Sequence, residues 1–412
     1  MDKDEKKNGK EDKNLARSWI WIIILGVVIL GVAFFLSRSE FSSINGNVIS
    51  EGSPLKVGVM VPLSGDAASY GLSVQKGIEI AKQELGMNVE LIYEDSKCEG
   101  RDAVTAVNKL ISVDKVHAII GELCSGATLA AAPIAEEAGV VMVSPASTSP
   151  EITNAGDYIF RTVPSDALQG AFGAQLVFDK GYEKLAILYS NEDYGLGFSQ
   201  VLEDSFEGEI VANEAFERGA TDLRAQLTKI KNVNSDAIYI ISNSPDSAVA
   251  ALKQIKQLGI KAQIFGSEGL KSQDIADGAG DAANGMILTS VSSGSTPFFK
   301  THRRIYDRES PGPFAPQGYD ALQAIVLAVE RGAKKREEIK DKLYEMEFDG
   351  ISGKIDFDLK GDVSGNYEVY EVRANTFVPV VEYGATPEII EELDILLSEL
   401  NVSLNVSPNL SG

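Results

Sequence analysis

The chain has 412 residues, 44% of them hydrophobic, which is enough for two α/β domains with full cores and additional segments. Its 38 Lys and Arg residues against 60 Asp and Glu residues give a formal net charge of −22. Such an acidic surface repels nucleic acid, and no basic patch with interleaved aromatic residues offsets it, so nucleic acid is excluded as a partner.

The N-terminal segment carries a membrane signal. We expect residues 1–18 to form a charged cytoplasmic stub, residues 19–36 a transmembrane anchor, and residues 37–53 a flexible linker rich in Ser, Gly and Asn. Six cationic side chains precede the apolar run and only Arg38 follows it closely, so the remainder should be extracytoplasmic. A cleaved signal peptide is the alternative, although the run is longer than a usual signal-peptide core of roughly 7–15 residues.

From Pro54 onward, short β-rich runs alternate with amphipathic helical ones. The pattern starts again near Phe160–Asp166, which gives two halves of similar architecture. Strands that alternate with such helices predict a largely parallel sheet covered on both faces. Two lobes of this kind, with loops at their strand ends, indicate a ligand held between them. The predicted strands include Lys56–Val61, Val89–Tyr93, Val116–Ile120, Val140–Val143, Leu185–Tyr189, Ala237–Ile241 and Gln263–Phe265.

The stretch Ile119–Thr148 reads as one βαβ unit. Ser125 lies where its helix should begin, and Ser147 and Thr148 follow the next strand. Ligands bind at the carboxyl ends of strands in open α/β sheets, and a helix start with free N–H groups suits an anion such as a carboxylate. The alternative is that these hydroxyl residues only cap helices.

The two cysteines, Cys98 and Cys124, both follow predicted strands in the extracytoplasmic part. Two strand ends of one sheet can be close enough for a disulfide, which would close a loop of about 27 residues and stabilise the fold by roughly 3–4 kcal/mol. The alternative is two free buried thiols.

The C-terminal segment, residues 385–412, is predicted to be an appended tail. Pro387–Leu400 has leucine and isoleucine residues at helical spacing, which predicts an amphipathic helix. Three N-x-S sequons, a weak indication of glycosylation, begin at Asn401, Asn405 and Asn409.

Seven motifs give the chain a resemblance to a known family: VGVMVPLSG…YG, IIGELCSGAT, VMVSPASTSPEIT, FRTVPSD, LYSNEDYGLG, FGSEG and GYDA. Over about residues 54–384 the chain resembles the type I periplasmic binding proteins, specifically the Leu/Ile/Val-binding proteins of branched-chain amino-acid ABC importers. The resemblance implies an α/β fold of two hinged lobes, one formed by residues 54–165 and 292–360 and the other by residues 166–291 and 361–384.

The resemblance also assigns the ligand-binding residues, which come from both lobes: Tyr70, Ser125, Ala146, Ser147, Thr148, Tyr194 and Glu268. It implies that Ser125 and Thr148 hold an α-carboxylate, to which Ala146 and Ser147 add backbone contacts. Glu268 would pair with the α-ammonium group.

Three further consequences follow from the resemblance. Tyr70 and Tyr194 match aromatic residues that close over the ligand, and Cys98 and Cys124 match a family disulfide. The chain has Asn243-Ser244-Pro245 where branched-chain binders often place an aromatic residue before the proline. This departure puts the aliphatic preference in doubt, so polar amino acids, amides or urea stay open as ligands.

An enzyme and a sensory receptor ectodomain are the two other classes of protein that the sequence allows. For an enzyme, His117 lies inside an apolar strand and His302 on a predicted helix surface, and the sequence has no nucleophile elbow, phosphate loop, Rossmann fingerprint or metal-ligand cluster. A sensory receptor ectodomain would need a separate signalling partner, because the cytoplasmic stub is too short for a signalling domain. The sequence therefore predicts a membrane-anchored, non-enzymatic solute-binding protein without metal or cofactor, which delivers an amino acid to an ABC permease.

Overall fold

The computed structural model describes residues 48–50, 52–365 and 367–380. The predicted cytoplasmic stub, the membrane anchor at residues 19–36, most of the linker and the C-terminal tail from residue 385 lie outside the described residues. None of the helices in the described ranges is long and apolar enough to cross a bilayer. The described residues from Ile49 onward belong to one compact unit.

Strands and helices alternate through most of the described chain, as the sequence pattern predicts. The strands are β1 Leu55–Val61, β2 Val89–Asp95, β3 Ala118–Gly121, β4 Val141–Ser144, β5 Ile159–Arg161, β6 Lys184–Ser190, β7 Glu209–Phe216, β8 Ala237–Ile241, β9 Gln263–Gly266, β10 Ile287–Ser290, β11 Glu347–Asp349, β12 Lys354–Asp356, β13 Glu368–Arg373 and β14 Thr376–Pro379. The helices are α1 Ala68–Leu85, α2 Gly100–Lys109, α3 Ser125–Glu137, α4 Asp166–Asp179, α5 Asp193–Ser205, α6 Arg224–Asn232, α7 Pro245–Leu258, α8 Gln273–Ala279, α9 Thr296–Ile305, α10 Ala315–Glu330 and α11 Arg336–Glu345.

Lobe 1 is built on a five-stranded sheet in the order β2-β1-β3-β4-β5. All of its strand pairs are parallel, as predicted. The central strands are apolar and buried on both faces, as expected for a parallel sheet covered by helices. Helix α1 packs through Val74, Ile78 and Ala81, which are fully buried at the predicted helical spacing.

Lobe 2 is built on a seven-stranded sheet in the order β14-β13-β10-β9-β8-β6-β7. Its β6–β10 strands pair in parallel, whereas β13 and β14 add two antiparallel strands at one edge. The predicted two-lobed α/β architecture is therefore confirmed. The lobe boundaries predicted after residues 165, 291 and 360 stay a prediction.

The two histidines occupy buried positions. His117 is 7% exposed just before β3, and its Nδ1 accepts the Lys56 N–H at 3.0 Å, in agreement with a core residue. The prediction for His302 was wrong, because this side chain is fully buried rather than on a helix surface. The chain after α9 folds back over the helix, so that the Glu309 carbonyl oxygen lies 3.0 Å from His302 Nδ1.

Candidate functional site

Two loops at the carboxyl ends of β3 and β4 form the lobe 1 side of the site. Ser125 is the first residue of α3, and Thr148 lies in the loop after β4. Both are buried, and the Ser125 Oγ accepts the Ser149 N–H at 3.2 Å, which holds the two loops together. The Thr148 hydroxyl is buried and makes no hydrogen bond of ordinary geometry among the described residues, and the Asp166 carboxyl, whose pKa it lowers, is its polar neighbour. A ligand acceptor could therefore take this donor.

Hydroxyl groups around the Glu122 carbonyl stabilise the same loops. This oxygen accepts hydrogen bonds from Thr128 at 3.1 Å, Ser144 at 2.5 Å and Ser147 at 3.0 Å. The Ser147 hydroxyl thus has structural partners, and the Ser147 N–H donates to the Ser144 Oγ at 2.9 Å. Ala146 is buried beside it, with its N–H directed at the Ser144 Oγ at 3.4 Å.

Glu268 lies on the lobe 2 side, in the short turn that follows β9. Its side chain is nearly fully buried, and its Oε2 accepts a hydrogen bond from the Gln169 amide at 2.9 Å. Burial raises the pKa of this carboxyl to about 7. Tyr194 lies next to it in α5, and its hydroxyl donates to Ser267 at 2.7 Å.

Asp166 is a candidate site residue that the sequence analysis missed. It begins α4 and is fully buried, and its carboxylate oxygens make no hydrogen bond of ordinary geometry within the described ranges, although the nearby Thr148 hydroxyl favours its ionised form. Burial raises the pKa of Asp166 well above its usual range, and the negative charge of Glu268 raises it further. The signal that could have found it is its position just after β5, at the same sheet edge as Ser125 and Thr148.

These groups form a site with two chemically different ends. One end offers hydroxyl and N–H donors, and the other holds two buried carboxyls close enough to influence each other. A buried carboxylate is costly to leave unpaired, so the second end is suited to a cationic group.

The two lobes contact each other over this site. The hydroxyl of Tyr70 in α1 donates to the Gly269 carbonyl of lobe 2 at 2.7 Å. A Cβ at Gly126 would lie 2.5 Å from Asp193 Oδ2, so α3 and the start of α5 approach each other closely there. Tyr70 thus lies at the lobe interface, whereas the Tyr194 hydroxyl contacts Ser267 within lobe 2.

A disulfide joins Cys98 to Cys124 with a Cα–Cα distance of 5.4 Å, and the alternative of free thiols is excluded. Cys124 directly precedes Ser125, so the bridge holds the start of α3. Arg218 of lobe 2 reaches the same place, donating to the Cys98 carbonyl and to Glu99, each at 2.7 Å. The disulfide therefore supports both the binding loop and the contact between the lobes.

The double variant Cys98→Ser/Cys124→Ser is expected to lower the free energy of unfolding by about 3 kcal/mol, because the unfolded chain loses a loop constraint. Urea denaturation of both proteins, with and without reductant, measures this change. Reductant should destabilise the parent protein and leave the double variant unaffected. Equal stability of the oxidised parent and the variant would contradict the prediction.

A cavity of about 680 Å³ lies beside the site between the lobes. Glu268 is the one predicted site residue that lines it. Asn243 and Ser247, which follow β8, do not line this cavity. Their Asn243 Oδ1 and Ser247 Oγ atoms are buried without hydrogen-bond partners in the described part of the chain.

Residues 54–376 match the family model described as periplasmic binding protein. The chain belongs to the periplasmic binding protein family. It is 28% identical over 339 residues to the leucine-, isoleucine-, valine-, threonine- and alanine-binding protein of Pseudomonas aeruginosa, a match that covers 77% of this chain and 89% of that protein. The resemblance inferred from the seven motifs is thereby confirmed.

Two solved structures of periplasmic binding proteins share the fold. A leucine-binding protein from Thermotoga maritima superimposes with a TM-score of 0.74 at 30% identity, covering 79% of this chain and 97% of that one. The branched-chain amino acid transporter substrate-binding protein of Streptococcus pneumoniae, solved with isoleucine, gives the same TM-score and identity over 80% of this chain and 100% of that one. Periplasmic binding proteins bind solutes without transforming them, which agrees with the non-enzymatic prediction.

Proposed function

We propose that this protein captures a free α-amino acid between its lobes and delivers it to an ABC import permease, with residues 19–36 as its membrane anchor. The observation that carries the proposal is the pairing of a donor-rich loop in lobe 1 with the buried, mutually close carboxyls of Asp166 and Glu268. A zwitterion has one carboxylate and one ammonium group, and it satisfies both ends at once.

The carboxylate end is formed by Ser125 and Thr148. The Thr148 hydroxyl supplies a donor, and Ser125 places the N-terminus of α3 at the same point. Backbone N–H groups at a helix start favour anions, so no cationic side chain is needed there. Ala146 and Ser147 contribute backbone groups of the same loop.

The ammonium end is formed by Glu268 together with Asp166. An ammonium ion has three donors, and Asp166 brings two oxygens that make no hydrogen bond of ordinary geometry among the described residues. Tyr194 and Tyr70 close the site from either lobe, through the Ser267 and Gly269 contacts. The ligand favours closure to the extent that it binds better when both lobes reach it.

Branched-chain amino acids are the preferred ligands of this proposal, because the relatives from Pseudomonas aeruginosa and Thermotoga maritima are named for binding them. A polar amino acid or amide is the second candidate. It is favoured by the unpartnered Asn243 Oδ1 and Ser247 Oγ, which an apolar side chain would leave without hydrogen bonds.

Calorimetric titration of residues 49–412 with the twenty amino acids, short-chain amides and urea tests the proposal. Saturable binding of leucine, isoleucine or valine supports the branched-chain form, and a preference for serine, threonine, asparagine or amides supports the polar form. Folded protein that binds none of these compounds would contradict the site.

The variant Asn243→Leu separates the two forms. If Asn243 selects polar ligand side chains, the affinity for polar ligands should fall about tenfold or more in this variant. Leucine binding should be retained or improved, because the unpaired amide is removed. Titration of both proteins with leucine and with the best polar ligand measures the change in preference. An equal change for both ligands would show that Asn243 does not contact the side chain.

A further inference from the structure

Arg161, the last residue of β5, is the largest completely buried side chain in the described part of the chain. A buried guanidinium needs hydrogen bonds on every edge, because a desolvated charge without partners is strongly destabilising. The hydrogen-bond partners of Arg161 therefore show which parts of the fold it holds together. They fall into two groups.

The first group is the binding loop. The Arg161 Nη1 donates to the carbonyl oxygens of Thr148 and Ser149, each at 3.0 Å, and lies 3.4 Å from that of Ser147. The Thr148 carbonyl also accepts the Asp166 N–H at 2.8 Å. Two donors thus hold the peptide that carries the Thr148 side chain.

The second group belongs to the segment between β12 and β13, which returns the chain from lobe 1 to lobe 2. Arg161 forms a bidentate pair with Asp362, with Nε–Oδ1 at 2.6 Å and Nη2–Oδ2 at 2.8 Å. Thr153 closes the network, since its hydroxyl donates to Asp362 at 2.7 Å. The segment also packs tightly on β5: the Arg161 N–H donates to the Gly361 carbonyl at 3.0 Å.

We propose that Arg161 is a positioning residue for ligand capture, which holds the Ser147–Ser149 carbonyl groups and ties the binding loop to the interlobe segment at Asp362. This inference rests on the proposed amino-acid site. Any rotation of the lobes that moves Asp362 acts on the Thr148 peptide through one rigid, planar group. Ligand affinity and lobe position are therefore linked through Arg161.

Arg336 provides a matched control. It is also a buried arginine of lobe 1, 5% exposed, but its Nε and Nη2 both donate to the Val116 carbonyl, at 3.0 and 2.6 Å, away from the cleft. Arg161→Gln and Arg336→Gln should both lower the melting temperature. Only Arg161→Gln should weaken amino-acid binding, by about 30-fold or more, since it leaves the loop carbonyls without their donors.

The pH profile of binding gives a readout that lost stability alone would not change. The charges around Asp166 are those of Arg161, Glu268 and Glu192, and the neighbouring phenols are Tyr194, Tyr239 and Tyr367. Arg161 is the cation of this group and favours the ionised form of Asp166. Its removal should move the pH at which binding is lost upward, whereas Arg336→Gln should leave that pH unchanged.

The experiment is calorimetric titration of the three proteins with the best amino-acid ligand across pH, after circular dichroism has shown that each is folded. If Arg161→Gln does not fold, Asp362→Asn is tested in its place, and we expect it to lower the affinity about tenfold. The inference would be overturned if the tested variant, Arg161→Gln or in its place Asp362→Asn, kept the affinity and pH profile of the parent protein. An equal loss of affinity in Arg336→Gln would also overturn it. Absence of binding by the parent protein would instead contradict the proposed function.

Discussion

Replacing Glu268 by Gln should weaken amino-acid binding at least about 100-fold, because a buried carboxylate bound to an ammonium group contributes about 3 kcal/mol or more. The glutamine keeps the size of the side chain and can still bond to Gln169, so the site retains its shape. Asp166→Asn should act in the same direction, since both carboxyls serve the same end of the ligand. Calorimetric titration of each variant measures the loss.

The same substitution should not destabilise the ligand-free protein above neutral pH. The pKa of Glu268 is about 7 in the folded state, above its value in an unfolded chain. The carboxyl therefore stabilises the fold below the unfolded pKa, and this contribution is lost as the pH rises to about 7. At about pH 8 the buried Glu268 carboxylate is ionised, which costs stability. The Glu268→Gln variant avoids this cost, so its melting temperature should equal or exceed that of the parent protein.

Asp320 supplies the control for this prediction. It is another buried carboxyl of lobe 1, and burial raises its pKa to about 6, but it accepts hydrogen bonds from Ile351 and Ser352 away from the cleft. Asp320→Asn should lower stability and leave ligand affinity unchanged. A Glu268→Gln protein that binds amino acids as the parent does would remove Glu268 from the site.

The sequence predicts the parts of this molecule that depend on local pattern. The alternation of strands and helices indicated the parallel sheets, and the strand-end rule pointed to Ser125 and Thr148. These residues could be found because the carboxyl end of a parallel strand is recognisable from the residues around it. The same rule covers Asp166, but in the sequence this residue also lies where the strand and helix pattern starts again, so the pattern does not mark it as part of a site.

Burial and long-range pairing could not be predicted in the same way. Glu268 is an ordinary loop glutamate by pattern, and its site role came from the family resemblance. Its pKa is raised by burial and by the negative charge of Glu192, which is distant in sequence. Arg161 and His302 show the same limit, since Asp362 and the residues after α9 bury them. Such contacts depend on tertiary packing that a periodicity does not encode.

Amino-acid binding should release about one proton near neutral pH, because the ligand's ammonium group replaces a proton that Asp166 and Glu268 hold in the empty site. Burial raises the pKa of both carboxyls, and the charge of Glu268 adds to the rise at Asp166. The bound ammonium favours the ionised carboxylates and lowers their pKa. Affinity should therefore fall about tenfold per pH unit below roughly pH 7 and level off above it.

Calorimetry in two buffers with different ionisation enthalpies measures the proton release directly. At about pH 6.5 the observed binding enthalpy should differ between buffers in proportion to the protons released, and the difference should shrink above about pH 8. Asp320→Asn should behave as the parent protein, because Asp320 does not face the ligand. A binding enthalpy independent of buffer, with affinity constant from pH 5 to pH 8, would mean that the two carboxyls are already ionised in the empty site. Two ionised carboxylates carry one negative charge more than the ligand's ammonium group can neutralise, so another cation would be needed. The assignment of Asp166 to the ammonium end would then be wrong.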